Sequence, residues 1–401
     1  MKLWEEVEAA RRKIRKIVLQ TPMIYSDTFS KRTGKEVFLK LENLQKTGSF
    51  KIRGAYYKLS QIPPSMKKRG VVAASAGNHA QGVALASSIL GVHSTVVMPE
   101  GASLAKQMAT QAYGGEVILF GENTDEALEY AKKLAKGGKS LIHPFDDEQV
   151  IAGQGTIGLE ILEQVPGVEV IVVPTGGGGL VSGIAAVVKK RKPDVKVIGV
   201  QSIHAPSAFY SFKRGKVVEV KAKPTLADGI ALRRVGEITF PLIQKGVDEM
   251  IAVGEDEIAS AILMLMERKR IVAEGAGATP LAALLSRRWK TRAKKIVLVI
   301  SGGNIDFHLL DRILEKGLAQ TGRLARMSIV LRDVPGALAK LTTLVGQHRA
   351  NILHIIHERA AKDIPIGFSK VILMLETRGP NHIREIKKRF KAKGYSLQML
   401  S

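Results

Sequence analysis

The chain contains no cysteine, which rules out disulfides, thiolate metal sites and a cysteine nucleophile. Aromatic residues make up only 5% of its 401 positions, so platforms for stacking unpaired bases are scarce. No apolar run approaches the roughly 18 residues that a membrane-spanning helix needs. The N-terminal stretch "MKLWEEVEAARRKIRK" mixes both charge signs without an apolar core. It does not read as a secretory signal, and a cytoplasmic setting without membrane contact is expected.

Acidic residues are also in short supply: 37 against 61 basic ones, a formal net charge of +24. That raises the question of nucleic-acid binding. The basic clusters at 11–16, 189–192, 287–295 and 387–393 are scattered, however, and none is interleaved with aromatics. They read as solvated faces that raise the local concentration of small anions. Specific nucleic-acid recognition is not expected.

Short Val/Ile-rich runs recur at 70–75, 93–99, 115–120, 168–174, 195–201 and 294–301, separated by helix-like segments such as "AQGVALASSIL". Near-continuous apolar runs are the mark of strands buried on both faces. Their alternation with helices predicts an α/β fold with open, mostly parallel sheets. The pattern changes near "KGLAQTG" at 317–322. Beyond it, a β-α-β unit, a polar turn and a second β-α-β unit predict a ferredoxin-like α+β domain over 322–401. The preceding region, 1–317, is expected to hold two α/β subdomains, the smaller spanning roughly 48–152.

In open α/β sheets, ligands bind beyond the C-terminal ends of strands, where loops feed helix N-termini. Three such loops stand out: "SAGNHAQG" at 75–82, "TGGGGL" at 175–180 and "SGGN" at 301–304. Gly176, Gly177, Gly178 and Gly179 leave a run of backbone N–H groups free to wrap a phosphate. No Gly-Lys-Ser/Thr follows them, so a Walker loop is excluded. A literal G-x-G-x-x-G, "GQGTIG" at 153–158, follows polar "DDEQV" rather than a strand. It lacks the context of a dinucleotide site and reads as close helix packing. His79 has no partner at metal-ligand spacing, and no metal is expected. The 75–79 turn suits a carboxylate instead.

Against these loops Lys51, in "LQKTGSFKIRGA", departs from the usual solvated surface lysine. A phosphate cup, a carboxylate cradle, a serine at a strand end and a reactive amine together describe a pyridoxal-phosphate site. The lysine would form a Schiff base, its pKa lowered by desolvation.

In that order, "KLENLQKTGSFKIRGA", "SAGNHAQGVA", "GQGTIGLE", "PTGGGGLVSGIA" and "SGGN" closely resemble the threonine/serine dehydratases (ammonia-lyases) of the tryptophan-synthase-β-like, fold type II, pyridoxal-phosphate enzymes. The resemblance spans residues 3–315. It implies that Lys51 carries the cofactor and takes the substrate α-proton, and that Phe50 packs against the ring. Asn78 would bond the ring hydroxyl, Gly176 to Gly179 the phosphate, and Ser301 would face the ring nitrogen. Ser75, with the loop Ala76, Gly77, Asn78 and His79, would hold the substrate carboxylate. The implied reaction converts L-threonine, and L-serine, to a 2-oxo acid and ammonia.

Serine racemases of this fold carry a second serine where this chain has Ala76, which cannot transfer a proton. Their cation ligands align with Gln201 and Ser207 here, which leaves that metal site in doubt. Threonine synthases and β-replacing synthases stay open as alternatives. The tail "LRDVPGAL…RANI" resembles an ACT domain, so Asp333, Gly336 and Asn351 mark an expected amino-acid effector site, typically formed between paired domains. A homodimer or homotetramer is implied, with biosynthetic and catabolic roles both open.

Overall fold

The computed structural model describes residues 2–286, 288–360 and 362–400. Arg287, the first residue of one basic cluster, lies outside them. The chain divides into two compact units, Met1–Ile305 and Asp306–Ser401. The helix Phe307–Gln320 therefore groups with the second unit.

Two sheets organise the first unit. The larger runs Met23–Tyr25, Glu36–Leu41, Lys295–Ile300, Val170–Pro174, Lys196–Ser202 and Glu249–Val253 across six strands. Every pairing in it is parallel except that of Met23–Tyr25 with Glu36–Leu41. The smaller sheet runs Glu116–Leu119, Ser94–Met98, Val71–Ala74 and Ser140–Leu141, all parallel. Each of the six Val/Ile-rich runs forms a strand. The central ones are buried along their whole length, as helices on both faces of a parallel sheet require. Of the strands missed in the sequence, Met23–Tyr25 and Ser140–Leu141 are too short to show a pattern, and Glu36–Leu41 and Glu249–Val253 carry charged residues that weaken the apolar signal.

The stretch "GQGTIG" lies inside the buried helix Glu148–Gln164. A Cβ on Gly153 would sit 2.5 Å from Gly54 Cα, and one on Gly155 would sit 2.8 Å from the Gly183 carbonyl oxygen. This helix therefore wedges between Lys51–Gln61 and Gly179–Arg191 at backbone contact. It fixes the lysine relative to the glycine run.

Beneath the Lys51 helix lies a charge cluster withdrawn from water. Arg53 donates to both oxygens of Glu42 at 2.8 Å and to Glu160 at 2.6 and 3.0 Å. Lys40 Nζ donates to Glu160 at 2.5 Å and to the Thr21 carbonyl at 2.9 Å. Two cations and two anions balance. Burial drives the Lys40 pKa down while Glu160 and Glu42 oppose it. Burial also pulls on Arg53, but the two carboxylates outweigh it and hold the guanidinium above its ordinary value. Such clusters specify an arrangement more than they add stability, because desolvation consumes most of the Coulombic gain.

The second unit has strand order Asn351–Glu358, Phe368–Glu376, Leu324–Arg332, Leu397–Leu400, with every pairing antiparallel. That is the ferredoxin-like β-α-β-β-α-β topology. Alternate residues Ala325, Met327, Ile329 and Leu331 face a core completed by Leu341, Val345, Ile386 and Phe390 from the two helices between the strands.

Gly153→Ala tests the wedge. Its new methyl meets backbone atoms that cannot swing away, an overpacking cost of about 1–3 kcal/mol against a helix-propensity gain of about 1 kcal/mol. The urea midpoint of the first unit is expected to fall. At Gly158 the nearest atom lies at 3.2 Å, and Gly158→Ala should be milder. A Gly153→Ala midpoint at or above that of the wild type would refute close packing as the reason for this glycine.

Candidate active site

Lys51 opens the helix Lys51–Gln61, directly after Phe50. Backbone bonds tie this entry to the "SGGN" loop: Phe50 N donates to Ser301 O at 3.2 Å, and Gly303 N to Gly48 O at 2.9 Å. Lys51 Nζ donates to the Pro144 carbonyl at 2.8 Å. Withdrawal from water lowers its pKa to about 8, with the Glu274 carboxylate acting in the opposite sense. An amine this close to neutrality is a competent nucleophile and base.

A cavity of about 300 Å³ surrounds it. Phe50, Lys51, Ser75, Ala76, Gly77, Asn78, His79, Gly176, Gly177, Gly178, Gly179 and Ser301 all line it. The sequence had placed these residues in four separate stretches. The strand Val71–Ala74 delivers Ser75, whose Oγ accepts from Gly77 N at 3.1 Å. Asn78 begins the helix Asn78–Leu90. Ser301, 2% exposed, follows the strand Lys295–Ile300.

The glycine run joins the strand Val170–Pro174 to the helix Gly179–Arg191. Gly178 holds φ at +101°, in the left-handed region. A Cβ on Gly177 would run into the Phe145 ring. The bare backbone and the helix N-terminus behind it favour an anion.

His79 Nε2 lies 2.9 Å from the Ile142 carbonyl and therefore carries the proton. Burial and the nearby Lys51 push its pKa down to about 3, so the ring is neutral. Its Nδ1 and Gln154 Nε2 are buried without partners. Orphaned polar atoms on a cavity wall call for a ligand. Burial also lowers the pKa of His143, whose Nδ1 accepts from Asp146 N at 2.8 Å.

Nothing in the sequence singled out Glu274. Its carboxylate, 6% exposed, accepts from Asn78 Nδ2 at 2.8 and 2.9 Å. Burial raises its pKa to about 7, against the Asn78 hydrogen bond. Asn304 Nδ2 donates to Asn78 Oδ1 at 2.7 Å and to the Thr47 carbonyl at 2.8 Å, which fixes the orientation of the Asn78 amide. The one available signal was a lone acid before the uncharged helix Gly275–Leu285. At the rim, Lys106 and Asp228 pair at 3.0 Å.

Gln201 and Ser207 serve the backbone: Gln201 Oε1 accepts from Phe209 N, and Ser207 Oγ donates to Leu232 O. In the second unit Asp333, Gly336 and Asn351 are exposed. Asp333 accepts from Arg359 Nε at 2.9 Å, and Gly336 has φ +82° before the helix Ala337–Gln347. Asn351 Nδ2 reaches Glu376 at 3.5 Å.

The donors present fit pyridoxal phosphate: an unhindered glycine cup for its phosphate, an amine for its aldehyde and a hydroxyl at a strand end. A family of pyridoxal-phosphate-dependent enzymes matches residues 14–302. The chain is 51% identical over 397 residues to an L-threonine ammonia-lyase of Thermotoga maritima, covering 99% of each. Among solved structures, the processed form of threonine deaminase isoform 2 from Solanum lycopersicum is 37% identical with a TM-score of 0.74, over 78% of this chain and 87% of that one. Maize serine racemase is 33% identical with a TM-score of 0.74, over 79% and 98%. With the Lys51 amine, the glycine run and the Ser75–His79 loop in one cavity inside the matched region, this chain belongs to the pyridoxal-phosphate-dependent enzymes.

Proposed function

We propose that this chain is a threonine ammonia-lyase that converts L-threonine, and L-serine, to a 2-oxo acid and ammonia. The observation that carries this reading is the placement of the Lys51 amine between the glycine run and the Ser75–His79 loop, with Ala76 in that loop. Bound pyridoxal phosphate supplies an electron sink for the pair left when the α-proton departs.

The chain's own groups do the rest. With substrate bound, the neutral Lys51 amine would take the α-proton. The Ser75 hydroxyl and the N–H groups of the 75–79 turn orient the substrate carboxylate. Phe50 would flank the cofactor ring, and Asn78, held by Asn304 and Glu274, would lie at the ring hydroxyl. Ser301 would offer the ring nitrogen a hydroxyl without negative charge, which would not hold that nitrogen protonated as a carboxylate would. Such a site would suit β-elimination better than reactions that hold negative charge at the α-carbon. Ala76 has no proton to deliver on the opposite face, which disfavours racemisation.

The catalytic role is assigned to 1–317, within which 48–152 forms the smaller subdomain, and a regulatory role to 322–401. In the latter, an amino acid bound near Asp333, Gly336 and Asn351 would act as effector. Exposed Leu353, Ile355 and Ile356 on the edge strand Asn351–Glu358 suit a second copy there, in a homodimer or homotetramer. Control requires that the effector bind two states unequally. No helix among the described residues is long and apolar enough to cross a membrane.

Purified protein supplied with pyridoxal phosphate should release 2-oxobutanoate from L-threonine; silence with both threonine and serine would reject the reading. Lys51→Ala should lower turnover roughly 10³-fold or more with the circular-dichroism spectrum unchanged, and retained turnover would remove Lys51 from the chemistry. The rate at which pyridoxal phosphate attaches to apo protein should rise with pH and level off above about 8, where Lys51 loses its proton. A profile still climbing beyond pH 10 would mean a solvated amine. Ser301→Asp should alter the visible spectrum of the bound cofactor and shift products from elimination toward side reactions; an unchanged spectrum and product ratio would count against the role of Ser301.

A further inference from the structure

The segment "HPFD" at 143–146 leaves the smaller sheet and meets the glycine run. Pro144 accepts the Lys51 amine at 2.8 Å, and the Phe145 ring lies over Gly177. Asp146 turns outward to the start of the helix Thr239–Gly246. Its Oδ1 accepts from Ile238 N at 2.9 Å and Thr239 N at 3.1 Å, and its Oδ2 from Glu237 N at 3.0 Å. Three backbone donors on one carboxylate hold that helix start in a single place.

Thr239, fully buried, then spends its hydroxyl on the glycine run: Oγ1 donates to the Gly177 carbonyl at 2.6 Å. Gly236 N donates to the same carbonyl at 3.2 Å. Ser182 Oγ, on the helix behind the glycines, donates to the Thr239 carbonyl at 3.3 Å. In a trans peptide the carbonyl and the following N–H point in opposite directions. Tying the Gly177 carbonyl to Thr239 therefore aims the Gly178 N–H away from Thr239. Without that tie, four successive glycines would sample many backbone states, and the ordering cost would fall on phosphate binding.

We propose that Thr239, held in place by Asp146, is a positioning residue that preorganises the glycine run for the cofactor phosphate. The inference rests on the reading of the cavity as a pyridoxal-phosphate site. It links the two subdomains: Asp146 follows the smaller sheet, and Thr239 and the glycines belong to the larger. Only groups that carry a phosphate feel this arrangement.

The test is equilibrium titration of apo protein with pyridoxal 5'-phosphate and, separately, with pyridoxal, which has the same aldehyde and no phosphate. Visible absorbance of the lysine-bound ligand reads both. Thr239→Val should weaken pyridoxal phosphate about tenfold, the loss of one well-made hydrogen bond, and leave pyridoxal unchanged. Thr239→Ser should restore most of the affinity. Asp146→Asn, which keeps the side-chain shape, should weaken pyridoxal phosphate selectively as well. Equal weakening of both ligands by Thr239→Val and Asp146→Asn would indicate general disruption and overturn the inference, as would no weakening. Wild-type protein that binds neither ligand would sink the cofactor reading and this inference with it. Normal wild-type binding beside an unaffected Thr239→Val sinks the inference alone.

Discussion

A lysine that works near neutral pH has to be taken out of water, and the architecture around Lys51 depends on that constraint. In water an ammonium group keeps its proton well beyond neutrality. Here withdrawal from solvent brings the Lys51 amine down to about 8, and the desolvation has to be maintained by rigid surroundings. The helix Glu148–Gln164 supplies them through its glycines, which let it touch the Lys51 helix on one side and the helix of the glycine run on the other. The balanced cluster of Lys40, Arg53, Glu42 and Glu160 lies just below. It holds the first turns of the Lys51 helix without leaving an unpaired charge beside the amine.

The polar groups nearest Lys51 follow from the same constraint. His79 is neutral because burial disfavours its charged form, and the nearby Lys51 adds to the effect. Burial raises the Glu274 pKa to about 7, while both of its oxygens accept from Asn78 Nδ2. One chain of hydrogen bonds runs from the Thr47 carbonyl through Asn304 and Asn78 to Glu274. The last residue of "SGGN" thus orients a residue of "SAGN". Two loops far apart in sequence behave as one piece of site geometry.

Much of this was legible in the chain because the signals are local. The Val/Ile runs became the strands of the parallel sheets, since only a strand covered on both faces tolerates such continuous apolarity. The context of "GQGTIG" excluded a dinucleotide loop, and the glycines turned out to be helix contacts. Glu36–Leu41 escaped notice because Lys40 looks like a surface residue in sequence. Its partner Glu160 lies 120 positions away. Glu274, Phe145, Asp146 and Thr239 escaped for the same reason: each matters through a neighbour that the order of residues does not reveal.

By itself the sequence determined the α/β class, the ferredoxin-like tail and the loops that line the cavity around Lys51. Those features are written in short-range periodicity, in glycine and proline placement, and in motifs read along one stretch of chain. Tertiary structure alone decided which carboxylate faces Asn78, which carbonyl accepts the Lys51 hydrogen bond, and what holds the Gly177 peptide in one orientation. Burial, and the proton affinities it shifts, depend on distances between residues far apart in sequence. Those distances exist only once the helices have packed.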